Sequence, residues 1–153
     1  MTDKIIIGSD HAGYNLKEFL KLSLIKSGFG VQDAGAYSKE RCDYPKFAKS
    51  VAQGVSFGKF KRGILICKSG IGNSIAANKF PGVRAALCCN VKAARLSREH
   101  NDSNILVLGA AFVTGEQAQR IVHAWLKTKF MGGRHKRRLK QIKEIEKIVL
   151  QRT

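Results

Sequence analysis

Four segments of this 153-residue chain carry side chains suited to acid–base or anion chemistry. The first is Cys67-Lys68-Ser69-Gly70-Ile71-Gly72-Asn73-Ser74, where a thiol ends an apolar run and a glycine-rich turn follows. Glycines let successive backbone N–H groups converge on an oxyanion, and a helix starting there adds the positive end of its dipole. A cysteine in that setting can serve as base or nucleophile. An inert buried cysteine fits the same residues. The segment is not a P-loop, because G-x-x-x-x-G-K-[ST] does not occur. The second segment is Gly8-Ser9-Asp10-His11-Ala12-Gly13. Its histidine can contact phosphate or move protons near neutral pH, and Asp10 reads equally well as a helix cap. The third, residues 97–104, reads as a polar loop holding His100 and Asn101, and a helix end followed by a cap fits the same residues. The fourth is Gly132-Gly133-Arg134-His135-Lys136-Arg137-Arg138. Arg134 and Arg138 are four apart and share a helix face. Two guanidiniums beside a helix N-terminus make a phosphate clamp. Cations there oppose the helix dipole, a cost that a bound anion offsets. Lys136 and Arg137 read as solvated surface.

The elements that must position these groups follow from hydrophobic periodicity. Apolar runs predict strands at residues 5–8, 31–34, 63–67, 83–89 and 105–108. Between them lie helical patterns. One covers residues 15–26, with Leu16, Phe19, Leu20 and Leu24 at helical spacing. A second is opened by Pro45, which suits a first turn. A third follows the turn at residues 69–74 and runs to about residue 79, and a fourth lies around residues 92–98. A fifth is capped by Thr114 with Gln117 at the capping-box position. Gly132-Gly133 ends that helix, and a last one spans residues 134–150, with Leu139, Ile142, Ile145 and Val149 on one stripe. Strands alternating with helices imply right-handed crossovers. The expected architecture is a single Rossmann-like three-layer α/β/α domain over residues 1–153, with a five-stranded parallel sheet and an extra C-terminal helix. Ligands of such sheets bind at the carboxyl ends of the strands. That rule is taken to select residues 9–13, the loop through Tyr44, residues 67–74, and His100 and Asn101 before the fifth strand.

Composition narrows the classes. A chain this short, 44% hydrophobic, supports one core. The first residues lack a basic stretch followed by an apolar one, so a secretory leader is not expected. No apolar run reaches the roughly 20 residues of a membrane span, and a cytoplasmic location is expected. Cys42, Cys67, Cys88 and Cys89 form no C-x-x-C pair and are expected as free thiols. No Cys/His cluster has metal-ligand spacing, so neither metal nor cofactor is expected. Net charge is +17, with ten Lys or Arg against two Glu from Leu126 onward. Such a tail can bind nucleic acid nonspecifically. A solvated helix face or attraction of an anionic substrate accounts for the same charge. Nucleic acid is not expected as the main partner, since the candidate residues gather at strand ends rather than on a basic patch.

Taken in order, several motifs resemble the ribose-5-phosphate isomerase B family, which also includes galactose-6-phosphate and allose-6-phosphate isomerases. They are Gly8-Ser9-Asp10-His11-Ala12-Gly13, Asp43-Tyr44-Pro45, Ile64-Leu65-Ile66-Cys67 with Ser69-Gly70-Ile71-Gly72, Ser74-Ile75-Ala76-Ala77-Asn78-Lys79, Leu96-Ser97-Arg98-Glu99-His100-Asn101-Asp102, and Gly132-Gly133-Arg134-His135. The resemblance extends from Ile5 to about Ile148. It implies a metal-free aldose–ketose isomerase of pentose phosphate metabolism. Its substrate is a phosphorylated sugar, and it works as a homodimer or dimer of dimers with the site at a subunit interface, where the C-terminal helix is expected. It implies that Cys67 moves the proton between C1 and C2 through a cis-enediolate. Amides of Ser69, Gly70 and Gly72 hold the oxyanion, and the Ser69 hydroxyl, where Thr is usual, relays a proton between O1 and O2. His100, helped by Asp10, opens the furanose ring. His11, Arg134 and Arg138 bind phosphate, and Tyr44 and Asn101 contact sugar hydroxyls. Some members use a carboxylate base where this chain has Asn73. Two departures stand out: Lys68 replaces a common Gly, and Ala111 replaces a common Arg that can assist phosphate binding from the neighbouring subunit.

Overall fold

The computed structural model describes residues 3–152. Strands β1 (Lys4–Ser9), β2 (Gly30–Asp33), β3 (Arg62–Cys67), β4 (Ala85–Leu87) and β5 (Ile105–Gly109) form one parallel sheet in the order β2-β1-β3-β5-β4. The helices are α1 (Tyr14–Lys26), α2 (Tyr44–Ser56), α3 (Ile71–Ala77), α4 (Val91–Asn101), α5 (Gly115–Lys127) and α6 (Arg134–Leu150). None of the described helices is long and apolar enough to cross a membrane. The chain leaves β1 toward β2 on one side and β3 on the other. The carboxyl ends of β1 and β3 therefore flank a topological switch point, the place where open α/β sheets form a crevice.

The central strands are apolar on both faces because both faces are covered. Ile5, Ile7, Ile64, Ile66, Leu106 and Leu108 pack against α1 and α5. Ile6, Leu65, Ile105 and Val107 meet the α2 residues Ala48, Val51, Ala52 and Val55 and the α3 residue Ala77. Each fully buried aliphatic side chain contributes about 1.5–3 kcal/mol by leaving water. Trp125 is wholly buried on α5, and its indole N–H donates to Ser103 Oγ at 2.8 Å. Thr114 and Gln117 form the expected capping box at the start of α5.

Four elements differ from the sequence expectation. Helix α5 stops at Lys127, well before Gly132-Gly133, because Thr128 turns extended and its hydroxyl donates to Ala124 O at 2.6 Å. Strand β4 is three residues long, not seven, because it lies at the sheet edge and pairs only with β5. Helix α3 begins at Ile71, inside the expected turn, because Gly70 adopts the left-handed conformation (φ 78°) and turns the chain at once. Helix α4 runs on to Asn101, so His100 and Asn101 occupy its last turn rather than a polar loop. Asp102, also left-handed at φ 45°, then ends it. Helix α6 has the expected bounds, but its apolar stripe is bare. Ile142, Ile145 and Val149 are 49%, 61% and 60% exposed, and His135 is its one buried residue.

Candidate active site

The carboxyl edge of the sheet assembles the first group. Cys67 ends β3 with 4% exposure, and its Sγ accepts the Gly70 amide at 3.2 Å. The Ser69 hydroxyl accepts the amide of Ile71, the first residue of α3, at 3.2 Å. A Cβ at Gly70 would overlap Leu87, and one at Gly72 would overlap the Tyr44 ring. Gly72 thus lies within the first turn of α3, directly beneath Tyr44, the first residue of α2. The first amides of a helix have no intrahelical acceptor, so this turn presents donors beside the thiol. Asp10 follows β1 and is 6% exposed, and its Oδ1 accepts the Gly13 amide at 3.0 Å. The Asp10 amide donates to Ile66 O at 3.3 Å, which ties this loop to the strand carrying Cys67. His11 Nδ1 lies 3.2 Å from both the backbone amide and the carbonyl oxygen of Cys42, which fix the ring in place. Lys68 and Ala111, the two departures from the family pattern, are neighbours: the Ala111 amide donates to Lys68 O at 2.9 Å, and both residues are exposed.

The second group lies at the opposite edge. The Gly63 amide at the start of β3 donates to Asn104 O at 2.9 Å, so the end of α4 abuts the amino ends of the strands. There the His100 and His135 rings stack at 4.2 Å between centroids with 12° between planes. His135 is 4% exposed. Burial, then the neighbouring His100, Arg134 and Arg138, hold its imidazole below the usual histidine range, with Glu99 opposing. Arg134 and Arg138 are exposed on the first turns of α6. The end of α4 is fixed from below. The buried Arg98 guanidinium donates to Asp102 Oδ1 at 2.8 Å and to Ser103 O at 2.5 Å. Ser97 Oγ and Ser103 Oγ share a hydrogen bond of 2.8 Å. The Met131 amide, donating to Glu99 O at 3.1 Å, seats the chain entering α6.

Within one chain the sequence candidates therefore fall into two sets. Asp10, His11, Tyr44, Cys67, Ser69, Gly70 and Gly72 come together at the carboxyl edge. His100, Asn101, Arg134 and Arg138 come together at the amino edge. Four residues of β3, a rise of about 13 Å at roughly 3.3 Å per residue, separate the two levels. His135 was missed as a site residue. Its only sequence signal is adjacency to Arg134, since nothing in the spacing links it to His100. Cys42 beside His11 was missed for the same reason. The other buried thiol, Cys88, is unsuited to base chemistry: burial pushes it up to about 11, with a hydrogen bond to Ser97 opposing.

A buried strand-end thiol, the first amides of α3 and the Asp10–His11 loop meet at the switch point of an α/β sheet, an arrangement that can hold an oxyanion. The comparisons give that arrangement its family. Residues 5–142 match the Ribose/Galactose Isomerase family model, and the chain belongs to that family. It is 48% identical to ribose-5-phosphate isomerase B of Escherichia coli K12 over 94% of this chain and 96% of that protein. The structure of Clostridium thermocellum ribose-5-phosphate isomerase B superposes with a TM-score of 0.94 at 53% identity, covering 95% of this chain and 99% of that one. The Mycoplasma genitalium enzyme, solved with bound ribulose-5-phosphate, superposes at 0.91 with 43% identity, covering 94% and 96%.

Proposed function

We propose that this chain interconverts ribose 5-phosphate and ribulose 5-phosphate through a cis-enediolate, with Cys67 as the base and no metal in the reaction. One observation carries the reading. The Cys67 sulfur sits at the switch point beside the first turn of α3 and within the loop system of Asp10 and His11. The C2 proton of an aldose is weakly acidic, so the site must stabilise the enediolate. The Cys67 thiolate removes that proton. Amides of Ser69, Gly70 and Gly72 receive the developing oxyanion, and one such donor can be worth about 10²–10³ in rate. The Ser69 hydroxyl relays the proton between O1 and O2, and Cys67 returns its proton to C1. The names of the relatives and the ribulose-5-phosphate held by the Mycoplasma protein support this choice of substrate.

The remaining roles need a second copy. His100 would open the sugar ring with help from Asp10, Asn101 and Tyr44 would contact hydroxyls, and Arg134, Arg138 and His11 would hold the phosphate. The His100 group lies at the far edge of the sheet from Cys67, so a complete site takes one edge from each of two protomers. The bare stripe of Ile142, Ile145 and Val149 on α6 is the apolar surface that such a pairing would cover. The adjacency of Lys68 to Ala111 supports a compensating cation where the family Arg is missing. A coupled assay with ribose 5-phosphate, allose 6-phosphate and galactose 6-phosphate tests the reading. Preference for ribose 5-phosphate, unchanged by EDTA, is expected. A six-carbon preference, or activity lost to EDTA and restored by one divalent metal, would contradict it.

A further inference from the structure

Lys17 is a charged side chain with no exposure at all, and no step above uses it. An ammonium buried this deeply is costly unless paired. Its Nζ donates to Asp33 Oδ2 at 2.7 Å and to Glu18 Oε1 at 2.8 Å. Lys21 donates to the same Asp33 oxygen at 2.8 Å. Two ammoniums and two carboxylates balance, so the cluster imposes no net charge on its surroundings. Burial pushes the Asp33 carboxyl up, but hydrogen bonds from Lys17, Lys21 and the Gly35 amide outweigh it and leave it below the usual carboxylate range.

The cluster reaches the Asp10 loop from both sides. On one side, Asp33 Oδ1 accepts the Gly35 amide at 2.8 Å. Gly35 O in turn accepts the Ser9 amide at 2.6 Å, and Ser9 O accepts the Ala36 amide at 2.6 Å. Ser9 is the residue before Asp10. On the other side, α1's own backbone bond from the Lys17 amide to Gly13 O, at 2.8 Å, and the Gly13 amide's bond to Asp10 Oδ1, at 3.0 Å, seat the carboxylate against the helix that carries Lys17. The Lys17 side chain thus holds the residue before Asp10 through Asp33. A purely stabilising role has a cheaper solution, because apolar side chains often replace buried ion pairs without loss of stability. What an apolar residue lacks is the directed hydrogen-bond chain to the loop.

We infer that Lys17 and Asp33 are a positioning pair, fixing the Asp10 carboxylate relative to the Cys67 thiol. The inference rests on the reading of Asp10 as a substrate-handling residue. Because the pair acts through Asp10, its effect on turnover must vanish when Asp10 is gone.

A double-mutant cycle of Lys17→Met and Asp10→Ala, read as kcat/KM for ribose 5-phosphate, tests this. Lys17→Met should lower kcat/KM by roughly 10²-fold, the cost of about an ångström of misplacement. In the Asp10→Ala background the same change should act within about twofold, the usual scatter between independent effects. If Lys17→Met does not fold, by circular dichroism, Asp33→Asn enters the same cycle, since it keeps an acceptor for Gly35 but loses the charge facing Lys17. An equal fold-loss in both backgrounds would overturn the positioning role while leaving the Asp10 reading intact. Undiminished kcat/KM in Lys17→Met would do the same. Undiminished kcat/KM in Asp10→Ala would overturn the reading of Asp10 and the inference with it.

Discussion

The carboxyl-edge and amino-edge groups are held in opposite ways. Cys67 and Asp10 are 4% and 6% exposed and sit at the ends of core strands. Every loop around them is tied by backbone hydrogen bonds, from Asp10 to Ile66 and from Ala111 to Lys68. At the amino edge, Arg134 and Arg138 stand exposed on α6, a helix anchored to the body through His135, the Met131–Glu99 hydrogen bond and Glu146, whose Oε1 accepts the Gly82 amide at 2.6 Å. The first half carries its own framework, whereas the second has one buried anchor and a long bare face. Chemistry that depends on ångström placement suits the first half. Charge that must be delivered to another surface suits the second.

Breaking the framed half should cost most. Cys67→Ala is expected to lower turnover by about 10²–10⁴, the range for losing a positioned base, with the fold kept. Near wild-type turnover in a folded variant would remove the thiol from the mechanism. At the amino edge, Arg134→Ala or Arg138→Ala should weaken competitive inhibition by inorganic phosphate by about 10–150-fold. That follows from roughly 1.5–3 kcal/mol for a charge-assisted hydrogen bond. Arg137→Ala serves as the control, and inhibition constants equal to wild type in all three would leave α6 as surface charge.

Two smaller effects sharpen the contrast. Cys89 is exposed, while burial pushes the Cys88 thiol up to about 11. At pH 8, iodoacetamide should therefore label Cys89 far faster than Cys88, as peptide mass mapping would show. Comparable rates would mean that the edge beyond β4 opens readily. The His135 imidazole, held low by burial, His100 and the two arginines, resists protonation in the folded state. Its anchoring is complete above the ordinary value of 6.5 and is lost as pH falls below that toward the lower folded value. NMR titration should find His135 below 6.5, rising in His100→Ala. An unshifted titration would place the two rings apart in solution.

How much was legible depends on whether the signal is local. The α6 bounds and the Thr114–Gln117 capping box follow from neighbouring residues alone, and both agree with the structure. So did the cluster around Cys67 and Asp10, because parallel sheets put strand ends together. His100 was misplaced in a loop because its helix ends on a left-handed Asp102 rather than a glycine. Its grouping with the carboxyl-end loops is also corrected: a residue that precedes its strand lies at the amino edge, where the Gly63 amide meets Asn104 O. Nothing in its neighbours marks Lys17 apart from the other lysines of α1. Its burial comes from Asp33, which meets it only when β2 lies beside β1.

On the proposed function, a working site takes Cys67 from one chain and His100, Arg134 and Arg138 from another. Subunit mixing tests it most directly. Cys67→Ala and Arg134→Ala/Arg138→Ala proteins, each with little activity alone, are unfolded together and refolded as a mixture. A mixed dimer holds one site with both defects and one with neither. Random pairing of two-fold-symmetric subunits should then restore about a quarter of wild-type activity. A mixture no more active than the average of its two components would contradict the account and return the whole site to a single chain.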